Sequence, residues 1–183
     1  MIEAYLMHEK ERNAQGIPAL PLNPEQTTSL CELLQSPPAG KEEFLMSLFT
    51  ERVSPGVDPA AEVKAGFLAD ILTGSRKSPL IDKKQAVQIL GTMIGGYNVQ
   101  PLISALSDAS LADDAANALS GLTYLYDAAA QVLELAKSNT AAKKVAESWA
   151  NAEWFTKKPE IPETITVKVF KVEGEINTDD FSP

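Results

Sequence analysis

From its first residues to Phe155 the chain is a run of short apolar stripes at helical spacing, most of them closed by glycine or proline; after Phe155 that pattern stops. The punctuation constrains the fold more than any other feature. Proline cannot continue a helical hydrogen-bond ladder, and glycine takes the left-handed end of a helix at no steric cost. A chain so divided makes many short helices and no long one.

The first stretch, Ile2–Gln15, ends at Gly16, and "IPALPLN" reads as an extended connector. Asn23 then caps a helix with Pro24 at its first position and Glu25 and Gln26 in its first turn. Leu30, Leu33 and Leu34 follow before "SPPAG" ends it. "KEEFLMSLFTERV" presents Phe44, Leu45, Leu48 and Phe49. Asp58 and Pro59 open a helix with Val63, Phe67 and Ile71 on one line and Leu68 and Leu72 beside it, stopping at Gly74. Asp82 starts another, aligning Ala86, Val87, Leu90, Met93 and Ile94 until "GGYN" breaks it. Shorter helices are predicted at "VQPLISALS" and "SLADDAANALSG", and longer ones over about Leu122–Lys137 and Thr140–Phe155.

These stripes are wide and rich in alanine, which suits close helix–helix packing, and the short connections predict antiparallel pairs. "AVQILG" at 86–91 and "AANALSG" at 115–121 echo one another about thirty residues apart, a spacing found in helical-hairpin repeats. An irregular helical bundle accounts for the same pattern.

Beyond Phe155, "TKKPEIPE" is a charged, proline-containing linker, and "TITVKVFKV" alternates. Ile165, Val167 and Val169 share one face, with Thr166, Lys168 and Phe170 on the other, the signature of a strand. One strand cannot satisfy its own backbone, so it adds to a partner's sheet edge or opens a sheet whose other members lie elsewhere. The fold expected is therefore all-α, followed by a short β segment.

Composition narrows the chemistry. Cys31 is the only cysteine and His8 the only histidine among 183 residues, which rules out a disulfide within the chain, a Cys/His zinc site and an iron–sulfur ligand set. Cys31 sits at apolar helical spacing and reads as a small buried hydrophobe, with a reactive thiol as the alternative. No run reaches the roughly 18 apolar residues a membrane helix requires, and the N-terminus lacks a secretory signal, so a cytoplasmic protein is expected.

A net charge of −9 argues against a general nucleic-acid surface. "SRKSPLIDKK" is the exception, grouping Arg76, Lys77, Lys83 and Lys84 as a candidate anion or RNA contact beside the plainer reading of a solvated loop. From Gln85 to Ala136 there are five acids and no base.

Catalytic candidates are few, since neither His8 nor Cys31 has a visible partner for a nucleophile–base pair. Asp113 and Asp114, adjacent in a helix, point about 100° apart and read as a solvated helix start rather than a carboxylate dyad. In "GGYN", Gly95 and Gly96 form a turn, with Tyr97 and Asn98 as candidates to pack or line an inner surface. Trp149, Trp154 and Phe155 read as core and interdomain contacts.

Several stretches together resemble one family: "PPAGKEEFLMSLFTERVSPGVD", "VKAGFLADILTG", "KSPL", "LGTMIGGYNVQPLISAL", "SWANAEWF" and "VFKVEGEINTDDFSP". They run in order along essentially the whole chain and look like the N-terminal part of bacterial aconitase B. The resemblance implies a HEAT-like helical domain over 1–158, an α-α superhelix, followed by a linker and the first strand of a swivel domain over 159–183. The closing "NTDDFSP" is similar to the family's swivel motif, placing Thr178, Asp179, Asp180, Ser182 and Pro183 near an active site built mainly by other segments. Phe181 stands where that motif carries Leu or Ile.

For a parent enzyme the resemblance implies interconversion of citrate and isocitrate through cis-aconitate, 2-methylisocitrate chemistry, and a 4Fe–4S cluster held by residues outside this chain. For the helical domain it implies contact with the remaining domains, self-association, contact with other metabolic enzymes, control of access to the active site, and an RNA-binding regulatory role. No catalytic residue and no metal ligand is assigned within the 183 residues.

Overall fold

The computed structural model describes residues 1–122, 126–157, 160–169, 171 and 174, without the side chains of Tyr126 and Asp127. Those residues are helical where they are regular, with no strand among them. The elements are α1 (Ile2–Ala14), α2 (Pro24–Gln35), α3 (Glu42–Glu51), α4 (Pro59–Thr73), α5 (Lys83–Gly91), α6 (Val99–Ala105), α7 (Ala112–Ser120), α8 (Tyr126–Leu135), α9 (Thr140–Ala150) and α10 (Glu153–Thr156). The chain divides into two compact units, Leu22–Pro159 and a smaller one of Met1–Pro21 with Glu160–Pro183.

The helix starts follow directly from the sequence. Asn23 accepts from the Gln26 N–H at 2.8 Å while Gln26 Oε1 accepts from the Asn23 N–H at 3.0 Å, a reciprocal box that satisfies two donors which otherwise lack partners. Asp82 and Gln85 repeat it at 2.7 and 2.9 Å. Asp58 accepts from the Ala60 N–H with Pro59 at the first helical position, and α4 ends on Gly74 at φ +83°. Asn139 does two jobs: its Oδ1 caps α9 through the Ala142 N–H at 2.9 Å, and its Nδ2 donates to the Leu106 carbonyl at 2.8 Å.

In the larger unit α2 packs on α4, α4 on α5, α5 on α7 and α7 on α9, a single continuous row. Against it lie α3 beside α2, α6 beside α7 and α8 beside α9. Leu30, Leu34, Leu45, Phe49, Leu68, Leu90, Leu102, Leu119, Val132 and Val145 form its buried core. Phe49 meets Phe67 edge to face, with centroids 5.8 Å apart, which joins α3 to α4. Small residues set the α5–α7 distance, since a Cβ added to Gly91 would lie 3.0 Å from Ala118 Cβ. Lys84 pairs with Asp114 at 3.5 Å and Lys144 with Asp113 at 3.7 Å, so the two adjacent acids serve different neighbouring helices and form no dyad.

In the smaller unit α1 folds back on the connector. His8 Nε2 accepts from the Leu20 N–H at 3.0 Å, and Arg12 Nε donates to the Pro18 carbonyl at 3.0 Å. Tyr5 is buried.

Three expectations from the sequence are amended. Ile94 is exposed rather than on the α5 stripe, because α5 ends at Gly91 and the Ile94 N–H turns to the Pro55 carbonyl at 2.8 Å. The single helix expected over Thr140–Phe155 breaks where Ala152 adopts φ +50°, separating α9 from α10. Trp154 and Phe155 therefore do not reach the core; they stack edge to face at the surface, Trp154 being 49% exposed. Thr164–Val169, expected as a strand whose partners lie elsewhere, carries no strand pairing among the described residues, and Ile165, Val167 and Val169 are exposed. An alternating sequence supplies a strand's propensity, but the ladder needs a second strand to supply its hydrogen bonds.

Candidate functional site

Three groups of residues stand out in the sequence as sites. The motif residues Thr178, Asp179, Asp180, Ser182 and Pro183 lie outside the described residues.

The basic group is split by its neighbours. Arg76 follows the C-terminus of α4, its Nε 3.1 Å from Asp70 Oδ2 and its guanidinium 6.0 Å from the centre of the Phe67 ring. Lys84, in the first turn of α5, reaches Asp114 on α7. That leaves Lys77 and Lys83 without an ion pair among the described residues. Half of the charge that a polyanion would meet is thus already balanced in place.

The "GGYN" turn is brought against a second loop, a pairing with no periodic or motif signal behind it. Gly95 lies so close to Gly56 that a Cβ added there would sit 1.9 Å from the Gly56 carbonyl oxygen. Gly96 takes φ +94°, and the Tyr97 hydroxyl approaches the Val57 carbonyl at 3.4 Å. Asn98 is fully buried and donates from Nδ2 to the Leu90 and Met93 carbonyls, each at 2.8 Å, closing the end of α5. Its Oδ1 has no hydrogen-bond partner among the described residues. Rotating the amide would set that oxygen against two carbonyls, so the carbonyl pair fixes its orientation. Gly95, Gly96, Tyr97 and Asn98 therefore form a seam between two loops, built by backbone contact and one buried amide.

One buried group escaped the sequence reading. Lys64 on α4 is 1% exposed, its ammonium 5.1 Å from the centre of the Phe49 ring. Burial pushes it down to about 8, opposed only by the nearby Cys31. The Cys31 thiol is itself pushed up to about 12, chiefly by burial, with Arg76 and Lys64 acting the other way. A thiol so held is protonated and unreactive at neutral pH, as expected of a small core hydrophobe. The signal for Lys64 was its spacing, four residues after Ala60 and four before Leu68, both buried.

Around α10, Glu153 accepts from Lys157 and from the Ser148 hydroxyl, which hold its carboxyl below the ordinary range. The described residues assemble no group of three or more His, Cys, Asp or Glu side chains that could hold a metal ion.

Comparison with known proteins places the chain in a family. A family model described as the aconitate B N-terminal domain matches residues 4–155. The chain therefore belongs to the family of aconitate B N-terminal domains. It is 57% identical to aconitate hydratase B of Pseudomonas aeruginosa, 55% to that of Escherichia coli and 44% to that of Helicobacter pylori, in each case along the whole of this chain. It spans only 21–22% of the length of those relatives.

Proposed function

We propose that the chain is the non-catalytic helical module of an aconitate hydratase B, mediating protein–protein contact and narrowing access to an active site that other segments carry. The observation behind this reading is the match over residues 4–155 in a chain that spans about one fifth of its relatives. On this reading the whole protein interconverts citrate and isocitrate through cis-aconitate, and acts on 2-methylisocitrate.

Residues 1–158 then form the HEAT-like domain, a reading that the continuous row α2–α4–α5–α7–α9 supports, and 159–183 open the swivel domain. The module's partners are the remaining domains, a second copy, and other metabolic enzymes. A 4Fe–4S cluster supplies Lewis-acid chemistry to such an enzyme. Iron–sulfur clusters are held by several thiolates, and the one cysteine here is buried in α2, so this chain does not fit as their source. The RNA-contacting alternative draws less support, because Arg76 and Lys84 are already engaged by Asp70 and Asp114.

The test compares the whole protein with a version lacking residues 1–158. Retained turnover with a changed KM for citrate and a changed sedimentation coefficient is expected. Hydratase activity in the 183-residue chain by itself would overturn the reading, as would a deletion that alters neither KM nor sedimentation.

A further inference from the structure

Between α4 and the α6–α7 turn runs a groove of about 430 Å³, a size typical of ligand sites. Leu72, Pro101, Ala105 and Leu111 give it apolar walls, and Asp108 is the one charged residue in its described lining.

Two features set the sign of its potential. The Asp108 carboxylate accepts from the Ser110 hydroxyl at 2.6 Å and the Ser110 N–H at 2.9 Å, which hold it below the usual carboxylate range and therefore ionised at neutral pH. Leu72 and Thr73 are the last residues of α4, where the carbonyl ends of a helix concentrate partial negative charge. Lys83 is the cation that acts on Asp108, and it does so more weakly than Ser110, without an ion pair between them among the described residues. Apolar walls with a negative field match an aliphatic chain that ends in a cation, whereas a carboxylate would meet repulsion from Asp108.

We propose that this groove receives a lysine or arginine side chain presented by a partner protein, the methylene stem lying against Leu72, Pro101, Ala105 and Leu111 and the charged head on Asp108. This deepens the interaction-module reading by naming the partner's chemistry. The two fail separately, since deleting residues 1–158 tests the module and the experiment below tests only the groove.

Methyl-labelled 183-residue chain is titrated with n-hexylammonium, n-hexanoate and the capped peptides acetyl-Ala-Lys-Ala-amide and acetyl-Ala-Arg-Ala-amide. The ammonium and at least one peptide are expected to shift the methyl resonances of Ala69, Leu72, Ala105 and Leu111, and hexanoate to leave them in place. Asp108→Asn keeps an acceptor for Ser110 and removes the charge, so ammonium binding should weaken roughly fivefold, the upper range for a solvent-accessible pair. Ser104→Trp, at an exposed position on the groove lining, should abolish the shifts while leaving the remaining spectrum folded. Equal response to hexanoate, or undiminished binding in Asp108→Asn, overturns the proposal. Binding of hexylammonium without either peptide reduces the groove to a small-amine site and overturns the partner assignment.

Discussion

Leu22–Pro159 and the stretch Thr164–Val169 are equally explicit in sequence, and they meet opposite fates. In the first, apolar stripes become a row of packed helices in which Leu30, Phe49, Leu68 and Leu119 are all buried. In the second, a clean period-2 alternation leaves Ile165 66% and Val169 80% exposed. A helix closes its own hydrogen bonds, so a capped stripe needs only a neighbour to cover it. A strand needs that neighbour to complete its backbone as well. The difference lies in where each element finds its hydrogen bonds, and substitutions in the two regions should show it.

The largest effect is expected where two backbones touch. Gly95→Ala drives a Cβ into the Gly56 carbonyl, and about 3 kcal/mol of stability should be lost as the two loops part, measured by urea unfolding. A loss under half a kcal/mol would mean that the seam gives way easily and that the helical unit is less committed than its packing suggests. Asn98→Ala should cost about 2 kcal/mol, because the Leu90 and Met93 carbonyls lose a buried donor.

Lys64→Met works in the opposite direction. The folded-state pKa, lowered to about 8, lies below the ordinary value of 10.5, so the unfolded chain binds the extra proton in between. The penalty is therefore complete below about pH 8, and wild-type stability should climb as pH rises through 8 to 10.5. Cys31, pushed up to about 12 from 9.0, opposes that climb once unfolded thiols ionise, which leaves pH 8–9 as the clean window for Lys64. Lys64→Met should gain about 2 kcal/mol at pH 7 and flatten the rise between pH 8 and 9, read from urea midpoints. A variant less stable than wild type at pH 7 would show that the ammonium's contact with Phe49 outweighs its burial.

The smallest effect belongs to the tail. Ile165→Thr with Val167→Thr should change the thermal midpoint by an amount equivalent to less than about 0.5 kcal/mol, since neither side chain is covered. A larger loss would break the comparison by showing that this face is covered in solution.

What could be read in advance follows the same division. Asn23, Asp58 and Asp82 declare their helices because each cap is a local bond within three residues, and Gly74 ends α4 for an equally local reason. Lys64 was obscured by its charge, although its spacing placed it on the buried stripe. Ile94 and Ala152 went astray because periodicity carries a helix past the residue where a tertiary bond or a left-handed turn stops it. The meeting of Gly56 with Gly95 was illegible, since a contact across about forty residues leaves no periodic trace when neither partner has a side chain. The seam around Asn98 and the groove beside Asp108 both belong to this last kind.

Asn139 carries a consequence of its own. One amide both starts α9 and holds the residue that follows α6, so the two helix ends share a single point of failure. Amide protons at the start of α9 and at the end of α6 should exchange with solvent at one common rate, as a cooperative unit. Asn139→Asp retains the acceptor and discards the donor, turning a rivet into a simple cap, and amide protons at the start of α9 should then exchange independently of those at the end of α6.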